Sequence, residues 1–194
     1  MNENLNIIQK ARSYAHGAHD AVGQKRKYTN EPYHVHTDEV ADIVTVLLNQ
    51  ERGQSGNFAR AMVMIPAALC HDLLEDTKVT EADLLREFGP DVTRVVVELT
   101  DVFTPEKYPA MGRAQRKRLE AERMGHISDI AATIKIADLI SNTQSIVDHD
   151  PGFAKTYLRE KAAVLNNLGH GDPELLAKAT AQLAAAIEKL GLEF

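Results

Sequence analysis

The sequence predicts an all-α protein, built as a single compact domain of about eight to ten helices over residues 1–194. Residues that favour helices, chiefly Ala, Leu, Glu, Lys and Arg, dominate the composition. Apolar residues recur at helical spacing along most of the chain, whereas the alternation of a strand is scarce. Only 7 prolines and 11 glycines interrupt this pattern, and 194 residues are enough for one domain with a sizeable core.

Charge and cysteine content restrict what the protein can bind and where it works. A net charge of −6 argues against general nucleic-acid binding, although a local basic pocket could take a small anion. No apolar run reaches the ~18 residues of a membrane span, and the N-terminus lacks a signal-peptide pattern. The single cysteine, Cys70, excludes an internal disulfide framework and fits a reducing compartment. We therefore expect a cytoplasmic protein with neither nucleic acid nor membrane as partner, and homo-oligomerisation is left open.

The first two helices are predicted on either side of a basic loop. Residues 3–22 carry apolar side chains at helical spacing, and Gly23 ends that helix. The loop that follows holds three consecutive cations at 25–27, which by default form a solvated turn. Thr37 is the expected N-cap of the second helix, because two acidic residues follow it in the first turn.

Clear breaks separate the next predicted segments. Residues 51–56 are expected to form a loop, and Pro66 to restart or kink the helix in which it lies. Thr80 should cap a helix that stops at the following Gly-Pro pair. Residues 92–99 favour a further helix, although their β-branched side chains leave a strand as an alternative.

The C-terminal half is predicted to contain a loop followed by four helices. Residues 102–112 include two prolines and a glycine and should form a mobile loop. The helix after it is strongly basic, and a charged solvent face is the default interpretation. The basic helix is predicted at 113–123, a largely apolar helix at 127–146, and two closing amphipathic helices at 153–168 and 173–190.

Residues 66–77 are the most informative stretch, because an apolar run there abruptly gains a histidine and three carboxylates. As a helix, it would place His71 with Glu75, and Asp72 with Asp76, on one broad face, since each pair is four residues apart. Neighbouring carboxylates repel one another, and burial makes them costly unless a cation is bound. The alternative is an acidic helix end that faces solvent beside a satisfied histidine, but the clustering favours a metal site.

A second polar pair interrupts an apolar helix further along the chain. Asp138 and Asn142 are four residues apart and therefore share a face. A purely structural Asp–Asn pair is an open alternative, and the two buried side chains need partners in either case. His16 and His19 on the first helix are each isolated, so they are interpreted as structural.

The order of His36, then His71 with Asp72, then a distant Asp138 resembles the ligand order of the HD superfamily of metal-dependent phosphohydrolases. More specifically, the chain is similar to the hydrolase domain of RelA/SpoT homologues, and most of all to the small alarmone hydrolases. The core HD-x-x-EDT is joined by an upstream basic loop and a downstream KxAD-x-x-x-N. The matching segments follow in order at 24–27, 32–36, 67–77, 88–89, 100–101 and 134–142.

The resemblance implies the helical HD-domain fold around one divalent metal ion, usually Mn²⁺. The matching ligands are His36, His71, Asp72 and Asp138. Two imidazoles and two carboxylates would also suit Fe²⁺ or Zn²⁺, so the choice of Mn²⁺ follows from the resemblance. Glu75 and Asp76 match the family's catalytic acidic pair, which orients or deprotonates a water acidified by the metal. Like-charge crowding should raise one of their pKa values.

The resemblance also implies the substrate, a purine nucleotide of the guanosine tetra- or pentaphosphate class (ppGpp or pppGpp). Water would attack its 3′-diphosphate, releasing pyrophosphate with GDP or GTP. An Arg guanidinium can stack on a purine and a Lys ammonium can meet phosphate, while the basic helix could lie along the polyphosphate. The expected substrate-binding residues are Arg26, Lys27, Asn142, Arg113, Lys117 and Tyr157.

The sequence departs from the family pattern at two positions, and two other functions remain open. Thr37 stands where the family usually has Pro, and Leu139 where it usually has Arg or Lys, which removes a cation near the site. The first alternative is an HD phosphohydrolase that acts on another purine nucleotide, such as an adenosine alarmone, NADPH or a nucleoside phosphate. The second is a non-catalytic nucleotide-binding module, against which the intact acidic pair at 75–76 counts.

Overall fold

The described part of the chain is helical. The computed structural model describes residues 3–50 and 57–193, with the backbone alone for residues 3–6, so the loop predicted at 51–56 lies outside the described residues. Within these ranges the helices are α1 (Glu3–Ala21), α2 (His34–Gln50), α3 (Asn57–Cys70), α4 (Leu73–Asp76), α5 (Glu81–Leu99), α6 (Arg113–Met124), α7 (Asp129–His149), α8 (Pro151–Leu165) and α9 (Pro173–Lys189). The described residues contain no strand beyond one isolated bridge between Lys25 and Pro32, which confirms the all-α prediction.

The chain divides into two compact units, Met1–Thr100 with α1–α5 and Asp101–Phe194 with α6–α9. The expected single domain over residues 1–194 stays a prediction. None of the helices in the described ranges combines the length and the apolar content that crossing a bilayer requires.

Helix α3 forms the centre of the first unit, where it packs against α1, α2 and α5. Its residues 64–70 are all buried. Pro66 lies inside this helix, so a restart at that position is wrong, whereas the alternative of a kink stays a prediction. Proline removes one backbone hydrogen bond, and the burial of apolar side chains all around this segment offsets that loss.

Helix α2 begins earlier than predicted. Thr37 is buried inside the helix, and its hydroxyl donates to the backbone carbonyl of His34 at 3.1 Å, so the predicted N-cap is wrong. The helical turn starts upstream because the amide of His36 donates to the carbonyl of Tyr33 at 2.9 Å. As a result, His36 lies in the first turn of α2 rather than before it.

Helix α5 begins as predicted and is broken in its middle. Thr80 and Asp83 form a capping box, in which each side chain accepts from the other residue's backbone amide. Gly89 adopts a positive φ of 79°, a conformation that favours glycine and interrupts the helical backbone before Pro90. Helical structure then continues to Leu99, so the alternative of a strand at 92–99 is wrong.

The second unit is built on α7, which packs against both α8 and α9, while α6 packs against α8. Side chains that accept from backbone amides cap three of these helices, namely Ser128 for α7, Asp150 for α8 and Asp172 for α9. Residues 102–112 lie between α5 and α6 without forming a helix, as predicted. The four predicted helices are all present, with ends that differ by a few residues.

Lys161 on α8 is an unusual feature of this unit because its side chain is only 1% exposed. Its ammonium donates to the hydroxyl of Thr143 at 2.7 Å and to the side-chain carbonyl of Gln182 at 2.9 Å. Both partners are neutral, so they compensate only partly for the lost hydration of the charge. Burial accordingly lowers the pKa of Lys161 from 10.5 to about 8, although the charge of Asp138 opposes this shift.

We expect this buried ammonium to make stability depend on pH. The pKa of Lys161 is lower in the folded than in the unfolded chain, so the unfolded chain binds the extra proton between pH about 8 and 10.5. The cost of burying the charge is therefore relieved as pH rises through that window. Urea unfolding at several pH values should show wild type gaining about 3 kcal/mol relative to Lys161→Met. A flat difference between the two proteins would contradict the buried charge.

Candidate metal centre

The first unit brings two predicted metal ligands together in its core. His36 in α2 and His71 after α3 are buried, with ring centroids 5.2 Å apart and one ligand nitrogen of each within 4.8 Å of the other's. Asp72 lies beside them: its Oδ2 is 3.0 Å from Nε2 of His71 and 3.7 Å from Nε2 of His36. Three donor atoms from two separate segments therefore converge on one small volume.

Hydrogen bonds orient two of these donors. Nδ1 of His71 lies 2.8 Å from the carbonyl of Ala68. A carbonyl can only accept, so this nitrogen carries a proton, and in a neutral ring Nε2 is then the nitrogen that can offer its lone pair to a metal. The hydroxyl of Tyr33 donates to Oδ2 of Asp72 at 2.7 Å. Partners of this kind fix ligand orientation at metal sites, and Tyr33 is one that sequence reasoning did not assign.

The donor set fits a divalent metal ion. Neighbouring ligands of a six-coordinate ion with bonds of about 2.2 Å lie about 3 Å apart, close to the separations of Asp72 from the two imidazoles. Two nitrogens and a carboxylate oxygen suit Mn²⁺, Fe²⁺ and Zn²⁺ alike, so the donor types leave the identity of the ion open. These residues form a candidate metal site.

The backbone around His71 and Asp72 differs from the predicted continuous helix. Helix α3 ends at Cys70, and Asp72 adopts φ −96° and ψ 0° immediately before the short helix α4. His71 and Glu75 therefore do not share the face of one helix. The amide of Asp76 still donates to the carbonyl of Asp72 at 3.0 Å, so these two carboxylates lie one turn apart as expected.

Glu75 and Asp76 end this turn, and both are exposed to solvent. Although the residue as a whole is exposed, partial desolvation of its carboxylate by neighbouring groups, followed by the negative charge of Asp72, raises the pKa of Asp76. The direction agrees with the expected like-charge effect, although desolvation is the larger cause. A side-chain hydrogen bond from Gln24 acts in the opposite direction, because it stabilises the ionised form.

The basic loop before α2 is held in a hairpin-like shape. The bridge between Lys25 and Pro32 is reinforced by the amide of Arg26, which donates to the carbonyl of Glu31 at 2.9 Å. The ammonium of Lys27 donates to the hydroxyl of Tyr28 at 3.1 Å and lies 4.8 Å from the centre of that ring. The substrate-binding roles expected for Arg26 and Lys27 stay predictions.

In the second unit, Asp138 lies on α7 and is only 5% exposed. Its carboxylate accepts from Asn142 at 2.6 Å and from the ammonium of Lys135 at 2.9 Å. The expected contact between Asp138 and Asn142 is therefore present. Lys135 supplies a cation one turn before Asp138, although Leu139 stands where the family carries one. The roles of Asp138 as ligand and Asn142 as nucleoside contact stay predictions.

The three remaining candidates of the second unit have partners of their own. Arg113 forms a bidentate ion pair with Glu160, both bonds at 2.8 Å. Lys117 pairs with Asp101 at 2.7 Å, and the hydroxyl of Tyr157 lies 3.3 Å from that of Thr143. Any anionic ligand of Arg113 or Lys117 would have to compete with a carboxylate, and the proposed roles of all three stay predictions.

Comparisons with known proteins agree with this picture. The HD-domain family model matches residues 11–172. A relative from Xenopus tropicalis, named Guanosine-3′,5′-bis(diphosphate) 3′-pyrophosphohydrolase MESH1, is 32% identical over 75% of this chain and 73% of its own length. A probable guanosine-3′,5′-bis(diphosphate) 3′-pyrophosphohydrolase from Mycoplasma pneumoniae is 28% identical over 84% of this chain, which spans only 22% of that protein.

A solved structure agrees over almost the full length. It is described as a metazoan ortholog of SpoT that hydrolyzes ppGpp and plays a role in starvation responses. It matches with a TM-score of 0.74 at 27% identity and covers 96% of this chain and 97% of its own. The two proteins therefore share one fold.

Proposed function

The chain belongs to the HD-domain family and is related to MESH1-type small ppGpp hydrolases and SpoT/Rel hydrolase domains, and from this premise we propose that it hydrolyses guanosine 3′-diphosphates. The reaction is metal-dependent hydrolysis of the 3′-diphosphate of ppGpp or pppGpp, with pyrophosphate and GDP or GTP as products. The single observation that carries the proposal is the cluster of the buried His36 and His71 with the half-buried Asp72, followed one turn later by an exposed acidic pair. A cytoplasmic location, favoured by the unpaired Cys70, is part of the same proposal.

Four side chains hold the metal in this proposal: His36, His71, Asp72 and Asp138. When bound, a divalent ion, for which Mn²⁺ is our choice, acidifies water and stabilises negative charge on phosphate. The two imidazoles present neutral nitrogens, one of them fixed by the hydrogen bond from His71 to Ala68. Asp72 is oriented by Tyr33, and Asp138 by Asn142 and Lys135.

The acidic pair, Glu75 and Asp76, is assigned the removal of a proton from the attacking water. A raised pKa makes Asp76 a better general base than an ordinary aspartate, because its carboxylate accepts a proton more readily near neutral pH. Glu75 lies beside it in the same turn and is assigned the second catalytic position. Their exposure to solvent leaves them accessible to an incoming nucleotide.

Nucleotide binding is assigned to the remaining candidates. The guanidinium of Arg26 is suited to stacking on the purine, and the exposed ammonium of Lys27 to a phosphate. Asn142 and Tyr157 are assigned to the nucleoside. Arg113 and Lys117 are assigned to the polyphosphate, for which each must exchange its carboxylate partner.

Turnover of matched nucleotides tests the proposal. The full chain with Mn²⁺ is incubated separately with ppGpp, pppGpp, an adenosine 3′-diphosphate and NADPH, and released products are separated by chromatography. We expect pyrophosphate from the guanosine compounds at a kcat/KM at least about tenfold above that for the adenosine 3′-diphosphate, a preference of about 1.4 kcal/mol. Preferred hydrolysis of an adenosine compound would move the assignment to another purine nucleotide. Binding without turnover of any of them would leave only a nucleotide-binding module.

A further inference from the structure

A hydrogen-bonded chain links a fully buried histidine to the acidic pair. Nε2 of Gln24 donates to Oδ2 of Asp76 at 2.8 Å. The carbonyl oxygen of the same Gln24 amide lies 2.5 Å from Nδ1 of His19, which is 0% exposed. The backbone holds Gln24 in place on both sides, because its amide donates to the carbonyl of His19 and its carbonyl accepts from Tyr33.

The chemistry of the three groups fixes the direction of this chain. The Gln24 amide donates only through its nitrogen, so the oxygen that meets His19 must accept. Nδ1 of His19 therefore carries a proton and donates. Burial, as the larger effect, lowers the pKa of His19 and favours the neutral ring, whose only proton is then on Nδ1. At the other end, Oδ2 of Asp76 is required to accept, which selects the form without a proton on that oxygen.

We propose that His19 and Gln24 are positioning residues for catalysis, which fix the orientation of the Asp76 carboxylate through a one-way relay of hydrogen bonds. This inference rests on the proposed function, because Asp76 needs a fixed orientation only if it handles the proton of the attacking water. The relay acts through Asp76, and neither residue is required to touch the substrate.

The environment of His19 distinguishes this role from ordinary packing. Nε2 of its ring is buried and has no hydrogen-bond partner among the described residues. A buried polar atom without a partner is costly, and an apolar side chain would fill the same space without that cost. In the part of the chain that the structure describes, only the Nδ1 side of the ring has a hydrogen-bond partner, and that partner is Gln24 of the relay. Its 4.8 Å ring contact with Tyr33, which itself donates to Asp72, fixes the ring plane.

A matched pair of substitutions tests the relay by kinetics. Asn and Leu have nearly the same shape, and the amide nitrogen of Asn occupies the position of Nδ1 in histidine. His19→Asn and His19→Leu therefore leave the same void, but only Asn can still donate to Gln24. We expect His19→Leu to lower kcat by about 10–100-fold with KM nearly unchanged, and His19→Asn to recover most of that loss. Gln24→Met should match His19→Leu, because it removes both hydrogen bonds.

Nitrogen NMR of the imidazoles tests the relay without any turnover. In the full-length chain, two-bond correlations should identify His19 as a neutral ring with its proton on Nδ1, and the Gln24→Met variant should lose that signature. A ring protonated on Nε2 instead would overturn the relay even if ppGpp is hydrolysed. Equal kcat values for His19→Asn and His19→Leu in folded protein would overturn it as well. Absence of hydrolysis in wild type with the expected NMR signature would instead reject the proposed function, and with it the catalytic purpose of the relay.

Discussion

Replacing Glu75 with Gln is expected to remove nearly all turnover of ppGpp while nucleotide affinity changes little. The substitution keeps the size of the side chain and removes its negative charge and its capacity to take a proton. General acid–base catalysis by one positioned group contributes about 10²–10⁴-fold, so kcat should fall by that factor. Equilibrium dialysis with labelled nucleotide measures binding, and single-turnover release of pyrophosphate measures chemistry.

A matched control separates this effect from a general loss of charge. Glu81 is exposed in the first turn of α5, a few residues along the chain, and Glu81→Gln removes the same charge. We expect its kcat to remain within about twofold of wild type, because an exposed substitution away from the site costs little. If Glu75→Gln turned over ppGpp as fast as this control, Glu75 would have no place in the mechanism.

Replacing Asp138 with Ala is expected to strip the metal. Loss of an outer partner of a metal ligand already costs about 10–100-fold in affinity, so loss of a ligand should cost at least about 100-fold. Dialysed protein should then retain little metal by elemental analysis, and added Mn²⁺ should no longer raise the melting temperature. His71→Ala should behave in the same way if both residues bind the same ion.

Two further variants distinguish loss of a metal ligand from loss of the folded structure. Asp138→Ala leaves Lys135 and Asn142 without their shared carboxylate, so Asp138→Asn, which keeps the shape, is measured beside it. Asp129→Ala removes an exposed carboxylate from the same helix and should keep the metal content of wild type. Full metal occupancy in folded Asp138→Ala would exclude Asp138 from the ligand set.

Local sequence signals predicted most of the helices, because the rules behind them act within a few residues. The capping box of Thr80 and Asp83 and the glycine break before Pro90 both follow from neighbouring residues alone. Predictions were wrong where distant packing or an unexpected turn decided the outcome. Thr37 has the chemistry of an N-cap, but α2 starts upstream of it. The helix also continues through Pro66 instead of restarting there, because the segment around it is buried.

In the candidate site, too, some features could be predicted from neighbouring residues and others depend on contacts between distant segments. The residues of the HD-x-x-EDT motif indicated a metal site and an acidic pair, and this inference used only residues that are close together in the sequence. The relay could not be found in this way, because His19 and Gln24 lie more than fifty residues before Asp76. His19 by itself is one more buried histidine, and only its neighbours in space give it a role.

The sequence by itself therefore determined the helical class and most breaks between helices, since periodicity and capping depend on residues close together in the chain. It also indicated candidate metal ligands, through the chemistry of their side chains and the family resemblance. Only the tertiary structure decided that His36 meets His71 and Asp72, that Tyr33 and Gln24 hold the carboxylates of Asp72 and Asp76, and that the charge of Lys161 is buried. These contacts arise when packed helices bring distant segments within hydrogen-bonding range, and no local pattern encodes that distance.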